Sequence, residues 1–207
     1  MLSLPSARIA STAISISPIE ANPLDLATYG RIILPGVGAF GDAMREIQSR
    51  HLVEPILDFI RSDKPFLGIC LGLQLLFTSG EEGGQHQGLG VIPGRVVRFD
   101  LPIEYKVPHM GWNRVEAVQP SGSLLPSGSL LDRLPSSPYF YFVHSYYVEP
   151  DDRSVCWLSC DSGGPLCAAI ARDNLFATQF HPEKSQSHGL RLLENFSRLP
   201  GKQKHGH

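Results

Sequence analysis

The sequence lacks the features that mark membrane proteins and proteins that bind nucleic acids. No apolar run among its 207 residues is long enough to cross a lipid bilayer. Its 18 Lys and Arg residues are balanced by 20 Asp and Glu residues, which gives a net charge of −2 and no basic stripe for a phosphate backbone or an anionic membrane. We therefore expect neither a nucleic-acid partner nor a membrane location.

Cysteine is also scarce, and its four positions are irregular: Cys70, Cys156, Cys160 and Cys167. This spacing does not resemble the framework of a disulfide-rich secreted domain, so it favours a reducing compartment and predicts a cytoplasmic protein. Cys156 and Cys160 could bind a metal ion, but nothing nearby completes a set of four ligands. We expect these two side chains to lie on one face of a strand, and we predict no metal site.

The composition is typical of a single globular domain. Hydrophobic residues make up 42% and charged residues 18%, and no shift in composition divides the chain. We assign one domain to residues 1–199 and expect a disordered tail over 200–207. The hexapeptide Pro-Ser-Gly-Ser-Leu-Leu occurs twice in 120–131. We interpret it as a duplicated loop segment, because a solenoid needs at least ~3 stacked repeats.

The stretch 64–77, KPFLGICLGLQLLF, carries the most informative local pattern. Residues 65–69 form a short apolar run of the kind found in strands that are buried on both faces of a parallel sheet. The apolar residues after this run recur at helical spacing and predict a helix that follows an abrupt turn: Leu71, Leu73, Leu75, Leu76 and Phe77.

Cys70 lies at that turn, between Gly68 and Gly72. Gly-x-Cys-x-Gly is the thiol counterpart of the Gly-x-Ser-x-Gly nucleophile elbow, where larger side chains at the glycine positions would collide with the neighbouring strand. A cysteine at a helix N-terminus is also favoured in its reactive thiolate form. The alternative is a buried structural cysteine, and the two glycines favour the nucleophile.

A second glycine-rich loop, 35–42, follows a predicted buried strand at 31–34. Its backbone N–H groups could face a ligand or a developing negative charge, although such glycines also serve turn geometry alone. We expect a polar surface loop over 80–90 and a last helix that buries Leu190, Leu193 and Phe196. Apolar alternation predicts further strands over 13–17, 91–99, 105–118, 139–148, 155–158, 166–171 and 176–180.

An elbow cysteine needs a base, and an imidazole is the side chain best suited to that task near neutral pH. His181 follows the last predicted strand, and Pro182 ends that strand, so the imidazole should be available. Glu183 could hold the imidazole in the correct tautomer and stabilise its cation. His109 and His144 remain alternatives for the base. The other histidines have polar or terminal settings and are interpreted as surface residues: His51, His86, His188, His205 and His207.

Three motifs together resemble class I (triad-type) glutamine amidotransferases: Pro-Gly-Val-Gly at 35–38, Gly-Ile-Cys-Leu-Gly-Leu-Gln at 68–74 and His-Pro-Glu-Lys-Ser at 181–185. Within that superfamily, four segments resemble the glutaminase subunits of imidazole glycerol phosphate synthases: 35–42, 88–99, 108–113 and 141–147. The resemblance implies a single-domain α/β fold with a mixed, mostly parallel sheet flanked by helices.

The resemblance also implies a role for each motif residue. Cys70 would attack the side-chain amide of glutamine, His181 would protonate the departing ammonia and then activate water, and Glu183 would orient His181. The oxyanion would face the backbone N–H groups of Val37, Gly38 and Leu71. The residues expected to hold L-glutamine are Gln74, Ser145 and Tyr146.

A partner is implied as well. Ammonia would pass, without release, to a separate (β/α)8-barrel cyclase subunit of the histidine pathway, and the residues expected near the docking face are Trp112, Asn113 and Lys184. No metal or organic cofactor is implied.

The sequence departs from the family pattern at its beginning. The family opens with a strand that ends in Asp-Tyr-Gly-x-Gly-Asn and then a helix, and neither precedes Ala10. We therefore expect a sheet without its first strand and helix, and with an exposed edge. Two alternatives to the glutaminase remain open. One is an amidotransferase-like docking subunit with little or no activity, and the other is an independent cysteine amidohydrolase or peptidase.

Overall fold

The computed structural model describes residues 23–102, 105–118 and 130–200. The predicted strand at 13–17, most of the duplicated hexapeptide and residues 201–207 of the expected tail lie outside these ranges. Within the described ranges, no helix is long and apolar enough to cross a membrane.

The described part of the chain contains four α-helices and twelve β-strands. The helices are α1 (Phe40–Ser49), α2 (Val53–Arg61), α3 (Leu71–Gln74) and α4 (Gln186–Arg198). The strands are β1 (Ile32–Gly36), β2 (Phe66–Cys70), β3 (Phe77–Gly80), β4 (His86–Gln87), β5 (Ile92–Arg98), β6 (His109–Arg114), β7 (Glu116–Ala117), β8 (Tyr139–His144), β9 (Tyr146–Pro150), β10 (Cys156–Asp161), β11 (Pro165–Arg172) and β12 (Leu175–Thr178). Short 3-10 helices occupy Pro23–Thr28, Arg153–Val155 and Pro182–Lys184.

A six-stranded sheet with the order β1-β2-β12-β11-β10-β7 forms the centre of the fold. β1, β2 and β12 run parallel, whereas β11, β10 and β7 continue the sheet in antiparallel pairs. Two smaller sheets have the orders β4-β3-β5-β9 and β6-β8. The expected mixed sheet is confirmed. Because parallel strands end at one edge of a sheet, Gly36, Cys70 and the residues after Thr178 lie together.

Apolar side chains fill a core on each face of the central sheet. α1 and α2 cover one face, where Phe40 and Phe59 pack with Phe66 of β2. α4 covers the other face, where Leu192 packs with Phe180. The same strands contribute side chains to both cores, because successive side chains of a strand point to opposite faces.

The helix after the elbow is shorter than the spacing of its leucines predicts. It ends at Gln74, and Phe77 already belongs to β3. The carbonyl oxygen of Leu76 accepts hydrogen bonds from the backbone N–H groups of Val91 and Ile92 at 2.9 Å each. Pairing with the β5 region therefore replaces the helical hydrogen bonds, and the leucines are buried as core residues.

The predicted strand at 139–148 is two strands in different sheets. β8 pairs with β6, β9 pairs with β5, and the chain changes sheets at Ser145. The polar pair His144-Ser145 marks this change rather than an interruption within one strand. The predicted loop at 80–90 likewise contains β4, where the His86 ring packs so closely on Gly41 that a Cβ at Gly41 would lie 2.7 Å from it.

The expectation that Cys156 and Cys160 share one face of a strand is wrong. Cys156 pairs with Ile170, which belongs to the core under α1 and α2, whereas Cys160 packs in the core under α4. The register of β10 shifts between Cys156 and Ser159, and such a bulge moves the following side chains to the other face.

The buried stripe of α4 is shifted from the predicted one. Leu193 and Phe196 are buried as expected, but the stripe is completed by Gly189 and Leu192, and Leu190 is only half-buried. A Cβ at Gly189 would lie 1.8 Å from the carbonyl oxygen of Pro182, so the first turn of the helix rests directly on the backbone there.

This shift predicts that truncation destabilises the protein by different amounts at two leucines that lie two positions apart. Leu192→Ala should lower the free energy of unfolding by about 2–5 kcal/mol, because the fully buried side chain leaves a cavity. Leu190→Ala should cost clearly less, since solvent already reaches that side chain. Urea denaturation of both variants measures the difference, and a larger loss for Leu190→Ala would contradict the assigned stripe.

Candidate active site

Cys70 ends β2 and precedes α3, with a backbone φ of 54° and ψ of −106°. A positive φ is uncommon outside glycine and is found where surrounding structure fixes a strained conformation. The sequence of strand, abrupt turn and helix is as predicted, and the turn presents the thiol at the edge of the sheet where the parallel strands end.

The two glycines of the elbow allow backbone segments to approach closely. A Cβ at Gly72 would lie 1.9 Å from the carbonyl oxygen of Leu34 in β1, and a Cβ at Gly68 would lie 2.7 Å from the carbonyl oxygen of Gly72. No side chain fits at either distance. The collision with the neighbouring strand that the motif predicts is therefore found in the structure.

His181 lies just after β12, at the start of the 3-10 turn that contains Glu183. Its Nδ1 atom and Glu183 Oε1 are 2.7 Å apart, and the imidazole is 2% exposed whereas the carboxylate is 40% exposed. His181 Nε2 is buried and has no hydrogen-bond partner in the described part of the protein. Because Glu183 occupies Nδ1, Nε2 is the ring nitrogen that remains for proton exchange with Cys70.

Burial and two neighbouring side chains, Cys70 and Glu183, set the pKa of His181. Burial would lower its pKa, but the adjacent Cys70 sulfur and the Glu183 carboxylate outweigh burial and raise the pKa to about 9. The folded pKa lies above the reference value of 6.5, so protonated His181 stabilises the fold fully below about pH 6.5. That contribution is lost as the pH rises through about 9. At neutral pH the imidazole is a cation.

The predicted oxyanion loop begins beside the elbow. Gly36, the last residue of β1, pairs with Cys70, and a Cβ at Gly36 would lie 2.9 Å from Leu71 Cβ. Val37 and Gly38 follow directly, and Gly38 has a φ of 104° that favours glycine. The structure thus brings the three expected oxyanion residues close to Cys70. That their N–H groups donate to an oxyanion stays a prediction.

The residues expected to hold glutamine form one group near the elbow. Gln74 is buried, and its Nε2 donates to the carbonyl oxygen of Tyr146 at 3.1 Å. Ser145 and Tyr146 lie where the chain passes from β8 to β9, and the carbonyl oxygen of Ser145 accepts from Phe99 N at 3.1 Å. Their contact with a substrate stays a prediction.

Gln179 is a site residue that the sequence reasoning missed. Its Nε2 donates to Cys70 Sγ at 3.7 Å, and its Oε1 accepts from Gln74 Nε2 at 3.2 Å. A signal was available, because this amide lies between Thr178 and Phe180 in the strand predicted over 176–180, two positions before His181. Alternation in an extended segment places Gln179 and His181 on the same side.

His109 and His144 are not placed as bases for Cys70. His109 Nδ1 and His144 Nε2 are 3.0 Å apart, so the two rings bond to each other. Burial lowers the pKa of both histidines. For His144 burial lowers it to about 3, and the hydrogen bond to the carbonyl oxygen of Tyr146 and the neighbouring histidines have smaller effects. Both rings are therefore neutral at physiological pH. No group of three or more potential ligands in the described ranges is arranged to hold a metal ion.

The expected docking residues lie outside the elbow. Trp112 and Asn113 are in β6, and Lys184 is an exposed residue directly after Glu183. The two-stranded β6-β8 sheet, which we call the ribbon, turns one face outward, where Trp112 is 46% exposed. The cross-strand pairs on this outer face are Met110 with Val143, Trp112 with Tyr141 and Arg114 with Tyr139.

The pKa of His181 provides a direct test of this site. Glu183→Gln should lower that pKa from about 9, because it removes one of the two negative partners. Adding Cys70→Ala removes the other, and burial should then leave the pKa below 6.5. NMR titration of labelled histidine measures both shifts. Glu149→Gln, which removes a carboxylate bonded to Arg95, is the control and should leave the pKa of His181 near 9.

Comparison with known proteins agrees with this geometry. Residues 6–199 match the family model described as "Glutamine amidotransferase class-I". Two solved structures share the fold: a glutamine amidotransferase with a TM-score of 0.61 at 15% identity, covering 84% of this chain and 83% of that one, and PurLQS of Thermotoga maritima with a TM-score of 0.58 at 17% identity, covering 82% and 79%. At these identities the likeness concerns the fold alone.

Several proteins of known name are much more similar in sequence. The chain is 58% identical over 182 residues to imidazole glycerol phosphate synthase subunit HisH of Rhodopirellula baltica, which covers 88% of this chain and 85% of that protein. The HisH subunit of Syntrophotalea carbinolica is 52% identical over 183 residues, covering 86% and 85%. The extent of these matches shows that this chain belongs to the class I glutamine amidotransferase family.

Proposed function

We propose that this chain is the glutaminase subunit of an imidazole glycerol phosphate synthase. It hydrolyses L-glutamine to glutamate and passes the ammonia to a cyclase subunit in histidine biosynthesis. The observation that carries the proposal is the elbow cysteine beside a buried imidazole whose other nitrogen is held by a carboxylate. The identity to proteins named HisH supports this activity among those of the family.

The first half of the reaction releases ammonia. The Cys70 thiolate attacks the carboxamide carbon of glutamine, and the C=O bond opens to an oxyanion that faces the N–H groups of the Val37-Gly38 loop and Leu71. Protonated His181 gives its Nε2 proton to the amide nitrogen, the C–N bond breaks and ammonia leaves. Cys70 is then joined to the glutamyl group as a thioester.

The second half restores the thiol. His181, now neutral, accepts a proton from a water molecule at Nε2, and the hydroxide attacks the thioester carbon. The C–S bond breaks, glutamate is released and the thiolate and imidazolium pair forms again. Glu183 holds the Nδ1–H throughout, which fixes the tautomer that each proton transfer needs.

The ribbon is the docking surface that fits a cyclase subunit. Its outer face exposes Met110 and Trp112, and exposed aromatic and methionine side chains of this kind are enriched in protein interfaces. The ribbon is also joined to the base, because the carbonyl oxygen of Tyr141 accepts from His181 N at 2.9 Å. Ammonia released at Cys70 therefore forms behind this surface. The partner is the (β/α)8-barrel cyclase, and Asn113 and Lys184 lie at the edge of the surface that it contacts.

Glutamate release by the purified chain tests the proposal. Activity should rise when a cyclase subunit and its nucleotide ligand are added, and Cys70→Ala should abolish it, because no other thiol in the described part of the chain lies at the elbow. A folded chain that binds the cyclase without any turnover would favour an inactive docking subunit. Hydrolysis of unrelated amides without a partner would favour an independent amidohydrolase or peptidase.

Two equally exposed aromatic residues test the docking surface. Trp112→Ala should weaken cyclase binding about tenfold or more, because interface anchors of this type cost over 1 kcal/mol when truncated. Tyr29→Ala is the matched control, since Tyr29 is 45% exposed and is not part of the ribbon. Its carbonyl oxygen accepts from Lys64 Nζ, and Lys64 precedes β2. Isothermal titration calorimetry measures both affinities. Equal affinities for the two variants would contradict the assignment of the ribbon as the docking surface.

A further inference from the structure

A chain of hydrogen bonds between buried and half-buried polar groups links the ribbon to the Cys70 sulfur. It runs through Asn113, His109, His144, the carbonyl oxygen of Tyr146, Gln74 and Gln179. Neither half of it follows from the three-residue mechanism above. Its direction, meaning which atom donates at each step, can be worked out from the chemistry of the groups.

The carbonyl oxygen of Tyr146 fixes the direction at the centre, because a carbonyl can only accept. His144 Nδ1 therefore donates to it at 2.8 Å, and Gln74 Nε2 donates to it at 3.1 Å. The His144 ring is neutral, since burial lowers its pKa to about 3. With its single proton on Nδ1, the Nε2 atom of His144 can only accept.

The outer half of the chain follows from this tautomer. His109 Nδ1 must donate to His144 Nε2, which leaves His109 Nε2 as an acceptor. Asn113 Nδ2 lies 3.2 Å from His109 Nε2 and also donates to the carbonyl oxygen of Asp161 at 2.7 Å. Arg114 N donates to Asn113 Oδ1, which fixes the orientation of that amide. Each donor in this half has an acceptor.

The inner half leads to the nucleophile. The second N–H of Gln74 Nε2 donates a hydrogen bond to Gln179 Oε1, so the Gln179 amide can have only one orientation. In that orientation Gln179 Nε2 points an N–H group at Cys70 Sγ, 3.7 Å away. Gln74 uses only its nitrogen in these bonds, which leaves its Oε1 for a ligand. An N–H donor stabilises a thiolate more than a thiol.

We propose that Gln179 is a further catalytic residue, whose N–H group stabilises the Cys70 thiolate, and that His144 with His109 is a positioning pair that holds Gln179 in this orientation through Tyr146 and Gln74. This assignment deepens the proposed glutaminase function and rests on it for its consequence in turnover. The contact with the sulfur itself can be tested without glutamine.

The test is the rate of Cys70 alkylation by iodoacetamide as a function of pH, followed by peptide mass spectrometry. Gln179→Leu should move the midpoint of this profile upward by about one pH unit, the size expected for losing a hydrogen bond to a charged group. Gln179→Met, which has a similar length and no charge or N–H donor, should move it upward as well and covers the case in which the leucine variant fails to fold. Unchanged midpoints in folded variants would overturn the proposal.

The positioning pair is tested with two variants of His144. His144→Phe keeps a ring against Phe99 and Phe142 but has no donor for Tyr146, whereas His144→Asn keeps a donor and loses the ring. The midpoint should rise in the phenylalanine variant and stay near the original value in the asparagine variant. The reverse order would show that ring packing matters instead, and it would overturn the role of the pair.

A buried amide elsewhere serves as the control. Asn195 is buried in α4 and donates to the carbonyl oxygens of Leu130 and Asp132. Asn195→Leu should lower stability without moving the alkylation midpoint, and a shift as large as that of Gln179→Leu would overturn the proposal. If the wild-type chain did not hydrolyse glutamine, only the proposed function would be refuted, because the alkylation profile does not depend on glutamine.

Discussion

The arrangement of the site depends on the close approach of β1 to the elbow. The carbonyl oxygen of Leu34 lies where a side chain of Gly72 would begin, so two backbone segments are in direct contact. This contact sets the distance between β1 and the start of α3. It also places Gly36 beside Cys70, and therefore the Val37-Gly38 loop beside the thiol. The positive φ of Cys70 occurs directly between Gly68 and this contact.

The charges of the site are balanced between a buried and an exposed group. His181 is buried and cationic at neutral pH, and the neighbouring Cys70 sulfur and Glu183 carboxylate make that state stable. The Glu183 side chain is partly exposed, so it avoids the cost of full desolvation and still bonds the buried imidazole. A buried carboxylate would bring its own desolvation cost to the site.

The sequence predicted the parts of the site that rest on local pattern. Cys70 between two glycines and His181 before Pro182 carry their chemistry within a few residues, so the elbow and the base could be predicted at once. The position of Gln179 two residues before His181 was a local signal, but its contact with Cys70 joins residues 109 positions apart and no local pattern shows it. The His109 and His144 pair likewise appears only when β6 and β8 are placed side by side.

The errors in the fold have a similar origin. Leucine spacing after Cys70 is compatible with a long helix, and only the backbone pairing of Leu76 with Val91 and Ile92 ends it at Gln74. The buried stripe of α4 shifts to Leu192 because Gly189 packs directly against the backbone of Pro182. Periodicity records which residues are apolar, whereas these outcomes depend on which distant backbone groups compete for the same hydrogen bonds.

The bonds of Tyr141 have a consequence for how this protein can change over evolution. Tyr141 is the cross-strand neighbour of Trp112 on the ribbon. Its N–H donates to Ser185 Oγ and its carbonyl oxygen accepts from His181 N. One peptide segment thus belongs both to the surface that meets a partner and to the support of the base. Substitutions on the outer face can adapt the ribbon to a different partner, but an insertion or a slipped register in β8 would displace the histidine with it.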